Sequence, residues 1–293
     1  MKFNNGGIKM DNKYELTNAT INVDGHTLHR IKALRDFGNV KKGELGGFIE
    51  SERNLSQDGL CWVFGDGKVF DNAGVYDNTK VFDNAGVFGD AIVFGDAKVY
   101  GYANVCGHAK IYGNAEVCGY AKIYGNAKVC GHAKIYGNAE VFGDVIVVGD
   151  AKISADAMVY EHAKVYGYAK VCGNAKVCGH GRVYGNARVY GNAKVLGYAE
   201  IGMCAHITSP NDYIAIGPLG SRYGHTTVYR ILNADEQPCS SDLRIQCGCF
   251  NGTPDEFFTK VDKTYKEGSI YHTQYTTIVK PMVDAMCQTS IQN

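Results

Sequence analysis

The sequence is poor in proline, balanced in charge and without a long hydrophobic run. Only five prolines in 293 residues exclude collagen-like and proline-rich chains. The 30 basic and 30 acidic residues cancel, so bulk charge does not indicate a nucleic-acid-binding protein, and nucleic acid is not expected as a partner. No apolar stretch approaches the roughly 20 residues of a membrane span, and the first residues lack the apolar core of a signal peptide. These absences predict a cytoplasmic protein with no membrane partner.

Glycine is abundant, with 37 residues, and most of it belongs to a six-residue repeat. From Val63 to Ile207 every sixth residue is Val or Ile, which makes 25 positions without insertion or deletion. A typical unit, residues 133–138, reads A-K-I-Y-G-N. Its first four residues alternate inward and outward as in a strand, and its last two are types that accept positive φ at a corner. A helix is excluded, because period six would place successive aliphatic residues about 120° apart around it.

Three such units close one triangular coil of 18 residues, and the repeat contains about eight coils. The predicted fold class is an all-β solenoid, a parallel β-helix whose coils are stabilised by their neighbours. We predict an N-terminal β cap at residues 1–62, the β-helix at 63–207 and a small C-terminal α+β domain at 208–293. In the last domain we predict strands at 213–216, 226–232 and 243–247, a helix after Thr253 and a helix at 271–286 interrupted at Pro281.

Residues 18 apart stack in columns on the faces of this solenoid. Aromatic columns occur on all three faces, and they are explained either by stacking between neighbouring coils or by a face that packs against other subunits. One outward column is mostly basic: Lys80, Lys98, Glu116, Lys134, Lys152, Lys170 and Arg188. It is either a solvated face or an electropositive strip that binds an anionic ligand.

The repeat resembles the hexapeptide-repeat family, and this resemblance implies that the β-helix is left-handed. The segment LHRIKALRDFGNVKKGELGGFIESERNLSQDGLCWVFGDG, residues 28–67, is similar to the opening of the YdcK-like acetyltransferases, and the likeness covers about residues 14–206. It implies an acyl-CoA-dependent acyltransferase, with acetyl-CoA as substrate and a trimeric homo-oligomer. The C-terminal module resembles a phage- or prophage-associated domain of no assigned activity.

The sequence contains few candidates for catalysis or metal binding. Acyltransferases of the resembled family use a histidine as general base, and His162 and His180 are the weak candidates here because they stack on adjacent coils. Asn, Asp and Tyr fill the same corner elsewhere, which favours a turn role and leaves no catalytic residue predicted. Cys239, Cys247 and Cys249 lack a CxxC pair or a histidine at zinc-finger spacing, so no metal site and no cofactor are predicted.

A glycine-rich segment between two predicted C-terminal strands reads GPLGSRYGH. It lacks the features of a P-loop, and it is either a hairpin loop or an anion-binding loop. The ligand-binding residues predicted for the second interpretation are Gly217, Gly220, Ser221, Arg222, Gly224, His225, Arg230 and Arg244.

Three functions are consistent with these patterns. The leading prediction is a non-enzymatic β-helix scaffold that presents the C-terminal binding module, as a homo-oligomer with a trimer favoured. A phage or prophage protein of this kind would sequester a phosphorylated small molecule, such as a nucleotide, or a host protein. The alternatives are the acyl-CoA-dependent acyltransferase and a purely structural spacer.

Overall fold

A computed structural model describes residues 12–232 and 238–288. The chain divides into two compact units, Met1–Gly119 and Tyr120–Asn293. Both contain parallel β-solenoid coils with an 18-residue period, which confirms the predicted fold class. The start of the chain, residues 1–11, and the side chain of Cys239 lie outside the described part. Within that part, no helix combines the length and apolarity needed to span a bilayer.

The first unit opens with three longer strands, β1 (Tyr14–Val23), β2 (His26–Ala33) and β3 (Leu45–Ile49). They form an antiparallel sheet, and a short 3-10 helix follows at Glu52–Asn54. β3 also pairs in parallel with the strand Lys68–Val69, so that Ile49 lies opposite Val69. The stack of parallel strands therefore begins upstream of the six-residue pattern. Ile49 and Val69 are 20 residues apart, two more than the 18 residues between paired positions of the coils.

The remaining strands of the first unit are two residues long and belong to the coils. They are β4 (Trp62–Val63), β5 (Lys68–Val69), β6 (Gly74–Val75), β7 (Lys80–Val81), β8 (Gly86–Val87), β9 (Ile92–Val93), β10 (Lys98–Val99), β11 (Asn104–Val105), β12 (Lys110–Ile111) and β13 (Glu116–Val117). Every third strand pairs in parallel, which gives the orders β5-β8-β11, β4-β7-β10-β13 and β6-β9-β12. Three flat faces result.

The second unit continues with the same three-faced pattern. Its coil strands are β14 (Lys122–Gly125), β15 (Lys128–Val129), β16 (Lys134–Ile135), β17 (Glu140–Gly143), β18 (Ile146–Gly149), β19 (Lys152–Ile153), β20 (Met158–Val159), β21 (Lys164–Gly167), β22 (Lys170–Val171), β23 (Lys176–Val177), β24 (Arg182–Val183), β25 (Arg188–Val189), β26 (Lys194–Val195), β27 (Glu200–Ile201) and β28 (His206–Ile207). The parallel orders are β14-β17-β20-β23-β26, β15-β18-β21-β24-β27 and β16-β19-β22-β25-β28.

The inward and outward positions follow the predicted alternation. The aliphatic residue of each repeat, such as Ile135, and the small residue before it, such as Ala133, have no exposed surface. Outward rings stack on neighbouring coils, with centroids 4.8 Å apart for Tyr124 and Phe142. These contacts confirm the stacking explanation for the aromatic columns and leave the subunit-packing explanation as a prediction.

The corners need glycine for two reasons. Gly125 has φ of 70°, a left-handed conformation that L side chains rarely adopt. A Cβ atom there would also lie 2.7 Å from the amide nitrogen of Gly143 on the next coil. Where aspartate takes the corner in the first unit, as at Asp77, its carboxylate accepts the N–H of Gly95 at 2.9 Å. The corners therefore combine backbone conformation with coil-to-coil hydrogen bonding.

The C-terminal module is a four-stranded antiparallel sheet with helices on one face. A short 3-10 helix (Pro210–Asp212) precedes β29 (Tyr213–Leu219), β30 (Gly224–Leu232), β31 (Pro238–Cys247) and β32 (Phe250–Gly252). The helices are α1 (Pro254–Thr264), α2 (Ile270–Gln274) and α3 (Lys280–Gln288), with a π-helical turn at Tyr275–Val279. The predicted strands and the Thr253 cap are confirmed; β32 was missed. The helix does not break at Pro281, because the wider π turn directly before it accommodates the proline.

The sheet of the module lies between the last coils and the helices. On the helix face, Val228 and Ile245 pack against Phe257 and Val279. On the opposite face, the Tyr184 hydroxyl donates to the Gln246 side chain at 2.7 Å, and the Glu200 N–H donates to the Thr227 hydroxyl at 3.0 Å. The module is therefore fastened to the coils that immediately precede it.

Candidate functional site

The glycine-rich segment forms the turn between β29 and β30. Ser221 and Arg222 are exposed at its tip, and Gly220 has φ of 70°. The Gly220 N–H donates to the side-chain oxygen of Gln274 at 3.0 Å, so this amide holds the turn against α2. The turn is therefore a hairpin whose polar tip is anchored at its base.

A cavity of about 350 Å³ lies between this turn, the β31–β32 hairpin and the helices. Its floor is apolar, because Leu219, Phe257, Val261 and Tyr275 are all nearly fully buried. The volume lies at the small end of the range for small-molecule sites. Phe250 and Tyr265 add aromatic walls.

The rim of the cavity is cationic. Arg222 from the turn and Lys260 from α1 both line it, and both are exposed. The Lys260 ammonium lies 5.4 Å from the ring centroid of Phe250. The described residues that line the cavity include no Asp or Glu. An anion that enters it would therefore meet two positive groups and no opposing carboxylate.

Hydroxyl and thiol groups supply the other polar atoms of the cavity. A hydrogen bond of 3.0 Å joins the Ser221 and Tyr265 hydroxyls, and the Tyr275 hydroxyl lies 3.8 Å from the Cys247 thiol. Burial raises the pKa of Tyr275 above its ordinary value, so its hydroxyl stays protonated at neutral pH and remains a hydrogen-bond donor. Cys249 lies in the turn after β31, exposed at the rim.

The eight predicted ligand-binding residues are only partly brought together. Ser221, Arg222 and Gly224 line the cavity, whereas the other five do not.

Four of these five have neighbours outside the cavity. A Cβ atom at Gly217 would lie 2.7 Å from the His225 ring, and that ring stacks on Tyr198 with centroids 4.2 Å apart. Arg230 is buried, and its guanidinium donates to the main-chain carbonyl of Met286 in α3. Arg244 donates to the carbonyl of Leu243 at 3.0 Å.

The two candidate catalytic histidines lie in a ring ladder along one corner of the solenoid. His162 stacks on His180 at 4.9 Å, and His180 stacks on Tyr198 at 4.6 Å. The His162 Nδ1 atom lies 3.3 Å from a carboxylate oxygen of Asp144. His225 stacks at the end of this ladder, so the ladder connects the coils to the module. His162 and His180 therefore both take part in ring contacts between neighbouring coils.

One cluster in the first unit has the composition of a metal site. The ligand atoms of His26, Glu50 and Asp71 lie within 4.8 Å of one another. However, the His26 Nδ1 atom lies 3.1 Å from Glu50, and its Nε2 atom lies 3.2 Å from Asp71 on the other side of the ring. The hydrogen bond to Glu50, followed by the charge of Asp71, raises the pKa of His26. Opposite nitrogens facing separate carboxylates fit an imidazolium bridge better than a shared metal ion.

Several cavity residues were not foreseen from the sequence. Lys260, Tyr265 and Tyr275 come from helices about 40 to 55 residues beyond the turn. One available signal was the capped helix after Thr253, in which Phe257, Lys260, Val261 and Thr264 follow helical spacing and share a face.

Comparison with known proteins agrees with the solenoid. A family model described as the YdcK β-solenoid repeat matches residues 182–197. The predicted likeness to YdcK-like repeats is confirmed over that stretch. No curated protein matches the chain. The fold is thus a β-solenoid with YdcK-like repeats and an antiparallel C-terminal module.

Proposed function

We propose that the solenoid is a scaffold and that its C-terminal module binds a small phosphorylated molecule with an aromatic part, such as a nucleotide. The observation that carries this proposal is the cavity: an apolar aromatic floor, a rim with Arg222 and Lys260, and no carboxylate among its described lining residues. A base would pack on the aromatic walls, and the phosphate would meet the cations at the rim.

Arg222 is the side chain best suited to hold the phosphate. A guanidinium donates paired hydrogen bonds to phosphate oxygens, and Arg222 stands at the tip of a turn that is anchored through Gly220. Binding in this arrangement needs no proton transfer or bond cleavage. It therefore agrees with sequestration by a phage or prophage protein, our leading prediction.

The test measures thermal shift and calorimetric binding against a panel of nucleotides and acetyl-CoA. We expect stabilisation by at least one nucleotide, in proportion to its occupancy. Arg222→Ala should weaken that binding by about 1.5–3 kcal/mol, the range for hydrogen bonds to charged groups, and leave the melting of the free protein unchanged. Lys260→Ala should weaken binding as well.

Lys263→Ala is the matched control, because Lys263 is exposed on the same helix but does not line the cavity. It should bind nucleotide normally. Stabilisation by acetyl-CoA alone would favour the acyltransferase, and no stabilisation by any ligand would favour the structural spacer. Equal loss of binding in the Lys263 control would also contradict the cavity assignment.

A further inference from the structure

A buried lysine and a buried cysteine lie in contact at the start of the first unit. Lys13 directly precedes β1, and Cys61 directly precedes β4. Neither residue has any exposed surface, and among the described cysteines Cys61 is the only one without any. The Lys13 Nζ atom lies 3.2 Å from the Cys61 Sγ atom. The contact therefore joins the N-terminal antiparallel sheet to the first strand of the coils.

Hydrogen bonds fix both the side chain and the main chain of Lys13. Its Nζ atom donates to the carbonyl oxygens of Cys61 at 2.9 Å and of Asp58 at 3.2 Å. Its main-chain N–H donates to the Gln57 side chain at 2.8 Å, and its carbonyl accepts the N–H of Leu34 at 2.9 Å. The lysine nitrogen is therefore directed at the cysteine sulfur by contacts along the whole residue.

The surroundings of this pair favour the uncharged form of each group. Burial is the largest influence on both: it lowers the pKa of Lys13 and raises the pKa of the Cys61 thiol. Each partner opposes the effect of burial on the other, because an ammonium and a thiolate attract one another. A lysine that releases its proton readily is both a base and a nucleophile, which an ordinary surface lysine at neutral pH is not.

We propose that Lys13 and Cys61 are a peroxide-sensitive pair, in which one equivalent of hydrogen peroxide joins the two side chains through a sulfur–nitrogen bond, a sulfenamide. The bond ties the residue before β1 to the residue before β4, so it locks the N-terminal sheet onto the first coil. The pair belongs to the first unit, and this modification does not depend on the function proposed for the C-terminal module.

The reaction takes place in two steps, and the lysine amine acts in both. First, the amine accepts the thiol proton, the thiolate attacks one peroxide oxygen and the O–O bond breaks. The sulfur loses two electrons and becomes a sulfenic acid, while the released hydroxide takes the proton back from Lys13 and leaves as water. Second, the amine nitrogen attacks the sulfenic sulfur, the S–O bond breaks, and a second water leaves with one amine proton. Thiol, amine and one peroxide thus give the sulfenamide and two waters.

Hydrogen peroxide reaches the sulfur through the turn that precedes β4. Asp58, Gly59 and Leu60 are exposed in this turn, Leu60 by 45%. The Cys61 Sγ atom lies 3.6 Å from the Asp58 carbonyl oxygen, so the sulfur lies directly beneath the turn. Opening of a few exposed residues is a local fluctuation that does not require the coils to unfold.

The test is mass spectrometry of the full chain after treatment with hydrogen peroxide, unfolding in a thiol-blocking reagent and proteolysis. We expect the peptides that contain Lys13 and Cys61 to be linked, with a mass about 2 Da below their sum because two hydrogens are lost. Trypsin should no longer cleave after Lys13 in this product, and dithiothreitol should separate the two peptides again. Oxidation of the exposed Cys204 and Cys249 verifies the peroxide dose.

Three variants and one other cysteine serve as controls. Lys13→Arg keeps a positive charge and hydrogen-bond donors but has no neutral amine, so Cys61 should be oxidised to a sulfinic acid without a link. Lys13→Met removes the nitrogen and should give the same result. Cys61→Ala should abolish the link and fold normally by circular dichroism, since Ala97 occupies the same position two coils later. Burial alone raises the pKa of Cys106, which should therefore form no link to lysine.

Several results would overturn the proposal. An unmodified Cys61 beside oxidised Cys204 and Cys249 would mean that peroxide does not reach the buried sulfur. A sulfinic acid at Cys61 with a free Lys13 amine in the wild type would mean that the nitrogen does not capture the sulfenic acid. A linked product that retains one oxygen atom would be an S–O–N bridge and not the sulfenamide. An equal yield of linked peptide in Lys13→Arg would exclude the lysine amine as the nucleophile.

Discussion

Removal of one inward side chain tests the packing of the solenoid. Ile135 has no exposed surface, and on the next coil it lies opposite Ile153. Ile135→Ala deletes three carbon atoms at about 0.8 kcal/mol each and leaves a cavity that neighbouring coils cannot fill. The expected loss in the free energy of unfolding is about 2–5 kcal/mol, a large part of the stability of an ordinary domain. Lys134→Ala, one residue away and exposed, should change it by about 0.5 kcal/mol or less.

Urea unfolding followed by circular dichroism measures both variants, and amide exchange locates the damage. The N–H groups of Lys134 and Tyr136 donate to the carbonyls of Ala151 and Ile153 at 2.9 and 3.0 Å, so they report directly on this contact between coils. In Ile135→Ala they should exchange faster, whereas the N–H of Arg188, two coils beyond Ile153, should be less affected because coils interact with their nearest neighbours. Equal stability of the two variants would refute the inside–outside assignment.

Three further predictions follow from the geometry. The hydrogen bond to Glu50 raises the pKa of His26. The stability from this bridge should therefore be fully present below the unfolded pKa of about 6.5 and be lost as pH rises through the folded pKa. Urea midpoints measured against pH should show this loss in the wild type and not in His26→Gln. Gly125→Ala should destabilise more than Gly197→Ala, because both positions have positive φ but only at Gly125 would a Cβ atom meet the next coil; equal melting temperatures would contradict the close approach. Light scattering at micromolar concentration should give the mass of a homo-oligomer, with a trimer favoured. Exposed tyrosines such as Tyr168, at 63% exposure, leave apolar surface for contacts between subunits. A monomeric mass would mean that the aromatic columns serve stacking alone.

The coils could be predicted because each repeat is a local rule. A strand period of two and a corner every six residues specify which side chains face inward, and the 18-residue coil follows from closing three sides. The buried aliphatic positions, the glycine corners and the stacking of outward residues in columns all result from this 18-residue period. The N-cap at Thr253 could also be predicted from the sequence, because an N-cap interacts with a residue only three positions away.

The cavity could not be predicted in this way, because it is made by contacts between distant segments. The glycine-rich turn indicated Arg222, but Lys260 and Tyr275 join it only when the helices pack on the sheet. His225 and Arg230 have residue types that suit anion binding, yet strand alternation directs them to opposite faces of β30, toward Tyr198 and toward Met286. The repeat by itself thus determined the solenoid, whereas tertiary packing decided which polar side chains share a cavity, since residue type does not specify the partner that a side chain meets.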